Sequence, residues 1–292
     1  MHACGHDGHT TMLLGAARYL AETRNFAGTV HFVFQPAEEG GGGGRVMVEE
    51  GLFEKFPAEE VYALHNVPGI PVGTFAGRPG PMMAATDEYD IVVKGRGGHA
   101  AQPHKTIDPV VIGAQIVNAL QTITSRNADP IESLVVSITE FHAGSAYNVI
   151  AEEAVLSGTI RSFDPAQRKL AEDSLKRIAT GIAASLGGSA EIKFAKGYPA
   201  TRNHAAQLDK ALRVAEGLVG SDRVHGNIAP VMGAEDFAYM LEAKPGAYLF
   251  IGAGSAQGGR NLHQTHYDFN DEILPLGASY FAQLVETLLP KA

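Results

Sequence analysis

The 292-residue chain is 45% hydrophobic and 19% charged, carries a formal charge of −9 at pH 7 and has one cysteine. That length suits about two domains, and dispersed basic residues in an acidic chain argue against a nucleic-acid partner. A lone cysteine excludes an intrachain disulfide. No apolar run nears the ~20 residues of a membrane span, and the start lacks a charged-then-apolar leader. The expectation is a soluble, cytoplasmic protein with no membrane contact.

The first ten residues, MHACGHDGHT, place Cys4, His6, Asp7 and His9 just ahead of a helical pattern set by Met12, Leu13, Ala16, Ala17 and Leu20. A thiolate and an imidazole two residues apart can reach one metal. A zinc site needs three or four ligands, however, so taken alone the motif is equally a buried turn. Residues 29–34 (TVHFVF) read as a buried strand that Pro36 stops, with Glu38 and Glu39 immediately after. Five glycines, 40–44, follow and fit only a mobile or close-approach loop. Residues 46–56 read as a helix and 61–65 (VYALH) as a second strand ending in His65.

From residue 82 the rhythm changes. Strands are expected at 86–93, 134–141, 154–162 and 190–196. Between them lie helices opened by Asp108-Pro109, running to about 124, and by Asp164-Pro165, running to about 186. The order β-α-β-β-α-β is the ferredoxin-like unit, read here as an inserted domain. From about residue 201 the α/β pattern returns, with a helix at 205–219, a strand at 247–252, a Gly-rich loop at 252–259 leading to His263, and a closing helix at 275–289. The fold class is therefore α/β, with a mostly parallel sheet and an inserted α+β domain. The divisions fall at 1–84, 85–199 and 200–292.

Glu38, Glu39 and His65 each sit at or just past the carboxyl end of an expected strand, where open α/β sheets bind ligands. An isolated Glu-Glu pair is usually a solvated surface, and an isolated His65 or His263 is usually structural. Their company decides otherwise. HACGHDGHT, QPAEEG, ALHNVPGIPVG, GRGGHAAQPH, GAEDF and LHQTHYDFND occur in this order across essentially the whole chain. Together they resemble the metal-dependent amidohydrolases of the aminoacylase and carboxypeptidase superfamily. The nearest branch resembles hippurate hydrolases, N-acyl-amino-acid amidohydrolases and plant auxin-conjugate hydrolases.

The resemblance implies that Cys4, His6, Glu39, His65 and His263 bind two divalent ions, which could be zinc, manganese, cobalt or nickel. It makes Glu38 the general base toward a metal-activated water. It implies a lid that carries homodimer contacts, with His99 stabilising the oxyanion and Asn148 and Arg161 holding the substrate carboxylate. His104, His266, Glu235 and Asp236 are candidate supports of the site, and His9 and His142 are taken as structural. The expected activity is hydrolysis of the amide bond of a small N-acyl amino acid. Rival readings stay open: an N-acetyl-diamino-acid deacetylase, a small dipeptidase, an inactive metal-binding homologue, or a thiol hydrolase using Cys4. The resemblance also implies strands, and an aspartate, ahead of the first motif, where this sequence begins. Part of the parallel sheet is accordingly expected to be lacking.

Overall fold

The computed structural model describes residues 3–255 and 261–291. Along the chain run α1 (His6–Thr23), α2 (Gly43–Glu49), α3 (Leu52–Lys55), β1 (Val61–Val67), β2 (Phe75–Ala76), β3 (Gly80–Met83), β4 (Ala85–Lys94), β5 (Gly98–His99) and α4 (Pro109–Thr122). Next come β6 (Leu134–Ala143), β7 (Val149–Ile150), β8 (Glu153–Ser162), α5 (Pro165–Ser185), β9 (Ser189–Lys196) and β10 (Thr201–Asn203). The last part holds α6 (Ala205–Val219), β11 (Val224–His225), α7 (Ala238–Ala243), β12 (Gly246–Gly252) and α8 (Leu274–Leu288). The chain divides into two units: residues up to 82 with 201–231 and 235 onward, and residues 83–200 with 232–234.

In the first unit, four strands form a sheet in the order β1-β12-β2-β11. β1 runs parallel to β12 and β2 parallel to β11, while β12 and β2 are antiparallel. Every residue of β12 is buried, as expected of an apolar run covered on both faces. Helix α1 buries Gly8, Met12, Ala16 and Leu20, one residue every turn. It lies against α8 at Gly277, where a Cβ would stand 1.7 Å from Met12 Sδ. Met12, Phe75, Leu249, Ile251, Tyr280 and Leu284 belong to one core, each such side chain contributing about 1.5–3 kcal/mol by leaving water.

Residues 29–34 do not form the expected strand. They run without a sheet ladder, and among the described residues β1 pairs only with β12. Val30, Phe32 and Phe34 instead line a cavity of about 870 Å³, together with Val61, Phe281 and Leu288. The helix expected over 46–56 breaks into α2 and α3 at Gly51, whose φ of 86° leaves the helical region.

In the second unit, the sheet order is β6-β8-β4-β9, antiparallel throughout. With α4 after the first strand and α5 after the third, this is the ferredoxin-like arrangement that the β-α-β-β-α-β pattern implied. Asp87, Tyr89, Ile91 and Val93 alternate inward along β4, as do Ala154, Leu156, Gly158 and Ile160 along β8. Both helices start as the sequence indicated. Asp108 Oδ1 accepts from Val110 N (2.9 Å), Asp164 Oδ1 accepts from Ala166 N (2.7 Å), and a proline follows each aspartate. Each cap is worth about 1 kcal/mol. Helix α4 ends at Thr122 and closes in a π turn at Ile123–Asn127. Among the described residues, no helix is long and apolar enough to cross a membrane.

Candidate active site

Four stretches of the first unit deliver polar side chains to one place. Gly5, at φ 88°, opens α1 and sets Cys4 and His6 on either side of a left-handed turn. A Cβ at Gly5 would stand 2.4 Å from Asn66 Oδ1, so only glycine fits. The end of β1 brings His65, buried at 9% exposure. The turn after residue 35 brings Glu38 and Glu39, with Ala37 at a strained φ of 57°. His263 arrives on the loop before α8, also at positive φ (61°), its N–H donating to Ala3 O at 2.6 Å. The rest of the Gly-rich stretch before it, residues 256–260, lies outside the described residues.

The side chains converge. Cys4 Sγ lies 3.4 Å from His65 Nε2. His6 Nε2 is 3.8 Å from Glu38 and 3.9 Å from Glu39, and His263 Nε2 is 3.3 Å from Glu39. Donor atoms of Cys4, His6 and His65 lie within 4.8 Å of one another, as do those of Cys4, Glu39 and His263. Cys4 is common to both triads. One sulfur, three imidazoles and a carboxylate form a borderline-soft donor set of the kind that suits zinc and its first-row neighbours.

Acidic groups accumulate here, and Glu38, Glu235 and Asp236 bring their carboxylates within 4.8 Å of one another. Burial, with help from Glu39, Glu38 and Glu235, pushes the Cys4 thiol up to about 12. Burial, then Glu235, Glu39 and Asp236, raises Glu38 to about 8. Burial lowers His65 to about 4 and keeps His9 neutral. A divalent cation at such a place reverses this logic, favouring thiolate and carboxylate. The donor set therefore fits a metal centre.

A model described as Peptidase family M20/M25/M40 matches residues 1–287. The chain belongs to this family. It is 44% identical to a hippurate hydrolase of Campylobacter jejuni over 286 residues, covering 97% of this chain and 73% of that protein. It is 39% identical to an N-acetylcysteine deacetylase of Bacillus subtilis over 290 residues, covering 99% and 74%. Among solved structures, a dinuclear metal-binding peptidase of the M20 family from Bacillus subtilis superposes with a TM-score of 0.83 at 34% identity, covering 99% of this chain and 73% of that one.

Around the M20-type cluster stands a layer of polar supports that the sequence reading underrated. His9 Nε2 lies 2.6 Å from Asn66 Oδ1, a carbonyl oxygen to which it can donate. Asn66 Nδ2 donates to Tyr267 Oη at 2.7 Å. His9 is thus structural, as expected, but it is structural for the site. Asn66 and Tyr267 were not singled out. Their only signal is position, one residue after His65 and four after His263. Glu235, buried, accepts from Tyr248 Oη (2.7 Å) and Phe237 N (3.0 Å), and its carboxylate lies within 4.8 Å of those of Glu38 and Asp236. His266 is exposed and belongs to none of these groups.

The other candidates lie in the second unit. His99 is exposed on β5, which pairs with β7, and its Nδ1 accepts from Ala101 N at 3.1 Å. Ala100 N donates to Asn148 O at 2.9 Å, so the His99 and Asn148 segments are neighbours. Arg161 sits on β8, half-buried, in the register opposite the core-facing residues. His104 and His142 are exposed, and His142 pairs with Glu140 (2.9 Å).

Proposed function

We propose that the chain hydrolyses the amide bond of N-acyl amino acids such as hippurate, using two divalent ions held by Cys4, His6, Glu39, His65 and His263. The observation that carries this reading is the convergence of one thiol, three imidazoles and two glutamates in a chain of the M20 family. When bound, divalent ions polarise an amide carbonyl and lower the pKa of water.

The remaining chemistry is the chain's own. Glu38 removes a proton from the attacking water and hands it to the leaving amine. That role suits a carboxyl whose affinity for protons is raised by burial and by its acidic neighbours. Glu39, on the next residue, turns toward His263 and serves as an anionic ligand. In the second unit, His99 donates to the oxyanion, and Arg161 and Asn148 hold the substrate carboxylate, Arg161 through two parallel hydrogen bonds. The same unit pairs with a second copy as a lid and dimerisation domain, using the exposed outer edge of its sheet at β6. The metals are zinc, manganese, cobalt or nickel, and the compartment is the cytoplasm.

Chelation followed by reconstitution tests the reading. Protein stripped of metal should not turn over hippurate. Adding Zn²⁺, Mn²⁺, Co²⁺ or Ni²⁺ should restore activity as two equivalents bind. The carboxylate of the substrate should matter as well, so the amide of hippurate should be a poor substrate. Full turnover in chelator, abolished by Cys4→Ala, would transfer the reaction to a thiol nucleophile. A monomer by light scattering at micromolar concentration would remove the dimer.

A further inference from the structure

Asp236 has no exposed surface. Its Oδ2 accepts the backbone N–H of Gly44 at 2.7 Å, and its Oδ1 accepts a short hydrogen bond from Gln35 Nε2. Gln35 and Gly44 are the two feet of the turn that carries Glu38 and Glu39. The glycines let the feet come together. A Cβ at Gly43 would lie 1.8 Å from Pro36 O, and one at Gly44 would lie 2.8 Å from Asp236 O. Helix α2 starts there at Gly42 with no side-chain cap of its own, so a carboxylate from 192 residues away supplies a partner for its first turn. Inside the turn, Gly41 N donates to Ala37 O (3.0 Å) and Gly40 N to Glu38 O (2.7 Å). Ala37 holds its positive φ within this frame, and strain of that kind persists only where the surroundings over-determine it.

We infer that Asp236 is a positioning residue: its carboxylate clasps both feet of the turn and so sets where Glu38 and Glu39 stand. The inference rests on the roles proposed for those two glutamates. On this view the glycine run is not a mobile loop. It is the thin wall that lets one buried carboxylate reach both feet.

The test compares wild type with Asp236→Asn, which keeps the shape but can accept only one of the two hydrogen bonds, and with Gln35→Met, which removes one donor. In metal-free protein, amide exchange at residues 38–44 should quicken at least tenfold in Asp236→Asn while β12 is unchanged. Zn²⁺ affinity should fall by roughly 10–100-fold, the usual cost of losing a group that orients a metal ligand. Turnover should lose kcat more than KM. The double variant should be no worse than Asp236→Asn alone, since both changes break one clasp. Exchange and Zn²⁺ affinity within twofold of wild type would overturn the inference. So would exchange quickened evenly across the unit, which marks a merely structural residue. Should wild type itself fail to turn over N-acyl amino acids, the functional reading falls, while exchange at 38–44 still decides the clasp.

Discussion

Two adjacent acidic pairs stand within a few ångströms of each other and are used in opposite ways. Glu38 and Glu39 sit on a turn and point at histidines, with Glu39 half-exposed. Glu235 and Asp236 are buried and point back into the protein, at Tyr248, Phe237, Gly44 and Gln35. Residue type does not separate the pairs; hydrogen bonding does. A carboxylate whose oxygens are taken by backbone and phenol donors serves as a strut. A carboxylate presented to imidazoles is placed to bind a cation or move a proton.

That contrast is broken or sharpened by substitution. The largest effect should come from Glu38→Gln, which keeps the shape and removes the base. kcat should fall by about 10²–10⁴-fold with metal content unchanged by elemental analysis. Full activity would remove Glu38 from the reaction. Next, Glu39→Gln and Cys4→Ala should each weaken metal binding by more than the roughly 10–100-fold that losing an orienting group costs, as well as slowing turnover. Normal metal content in Glu39→Gln would exchange the roles within the first pair.

Glu235→Gln should do much less, because a neutral acceptor can still take the Tyr248 hydroxyl. A loss matching that of Glu38→Gln would collapse the distinction between the pairs.

The smallest effect is on stability against pH. Glu38 binds its proton up to about pH 8 in the folded metal-free protein, against about 4.5 for an ordinary glutamate, and Glu235 is raised in the same direction. Burial is the leading cause in both. The folded state therefore holds protons that the unfolded chain has released, so stability falls as pH rises through this window. His65 works the other way. With its folded value at about 4 against 6.5, it removes stability as pH falls from 6.5 to 4. Between pH 6.5 and 8 only the carboxyls of this set titrate, and the melting temperature of chelated protein should decline by a few degrees. Bound metal should reduce the decline, since its positive charge favours the carboxylate form of the neighbouring Glu38. A flat melting curve for chelated protein would argue against the burial of charge at Glu38.

Much of this arrangement was legible in the sequence for local reasons. Helices that open with Asp-Pro carry their own start signal, and α5 and α6 fall within a residue or two of their expected ends. The order of strands and helices between residues 86 and 196 implied the ferredoxin-like unit. Residues 29–34 misled because strand propensity is local while a strand is a pair, and nothing in TVHFVF names its partner. The supports were harder still. Asn66, Tyr267 and Gln35 are ordinary polar residues, and only the fold reveals that each touches a segment 57 or more residues away. The run of glycines advertised itself as either looseness or close approach. Pro36 O and Asp236 O, packed against Gly43 and Gly44, decide for close approach.

The unladdered stretch beside the cavity has a colloidal consequence. β1 is an edge strand whose far side pairs with nothing among the described residues, and residues 29–35, which carry no ladder, line the cavity beside it. Edges of this kind recruit strands from other molecules. What opposes recruitment at neutral pH is a formal charge of −9, which keeps copies apart. Acid or concentrated salt weakens that repulsion while leaving the edge untouched. Storage solutions should therefore be dilute in salt and mildly alkaline, with metal present to offset the stability that higher pH removes.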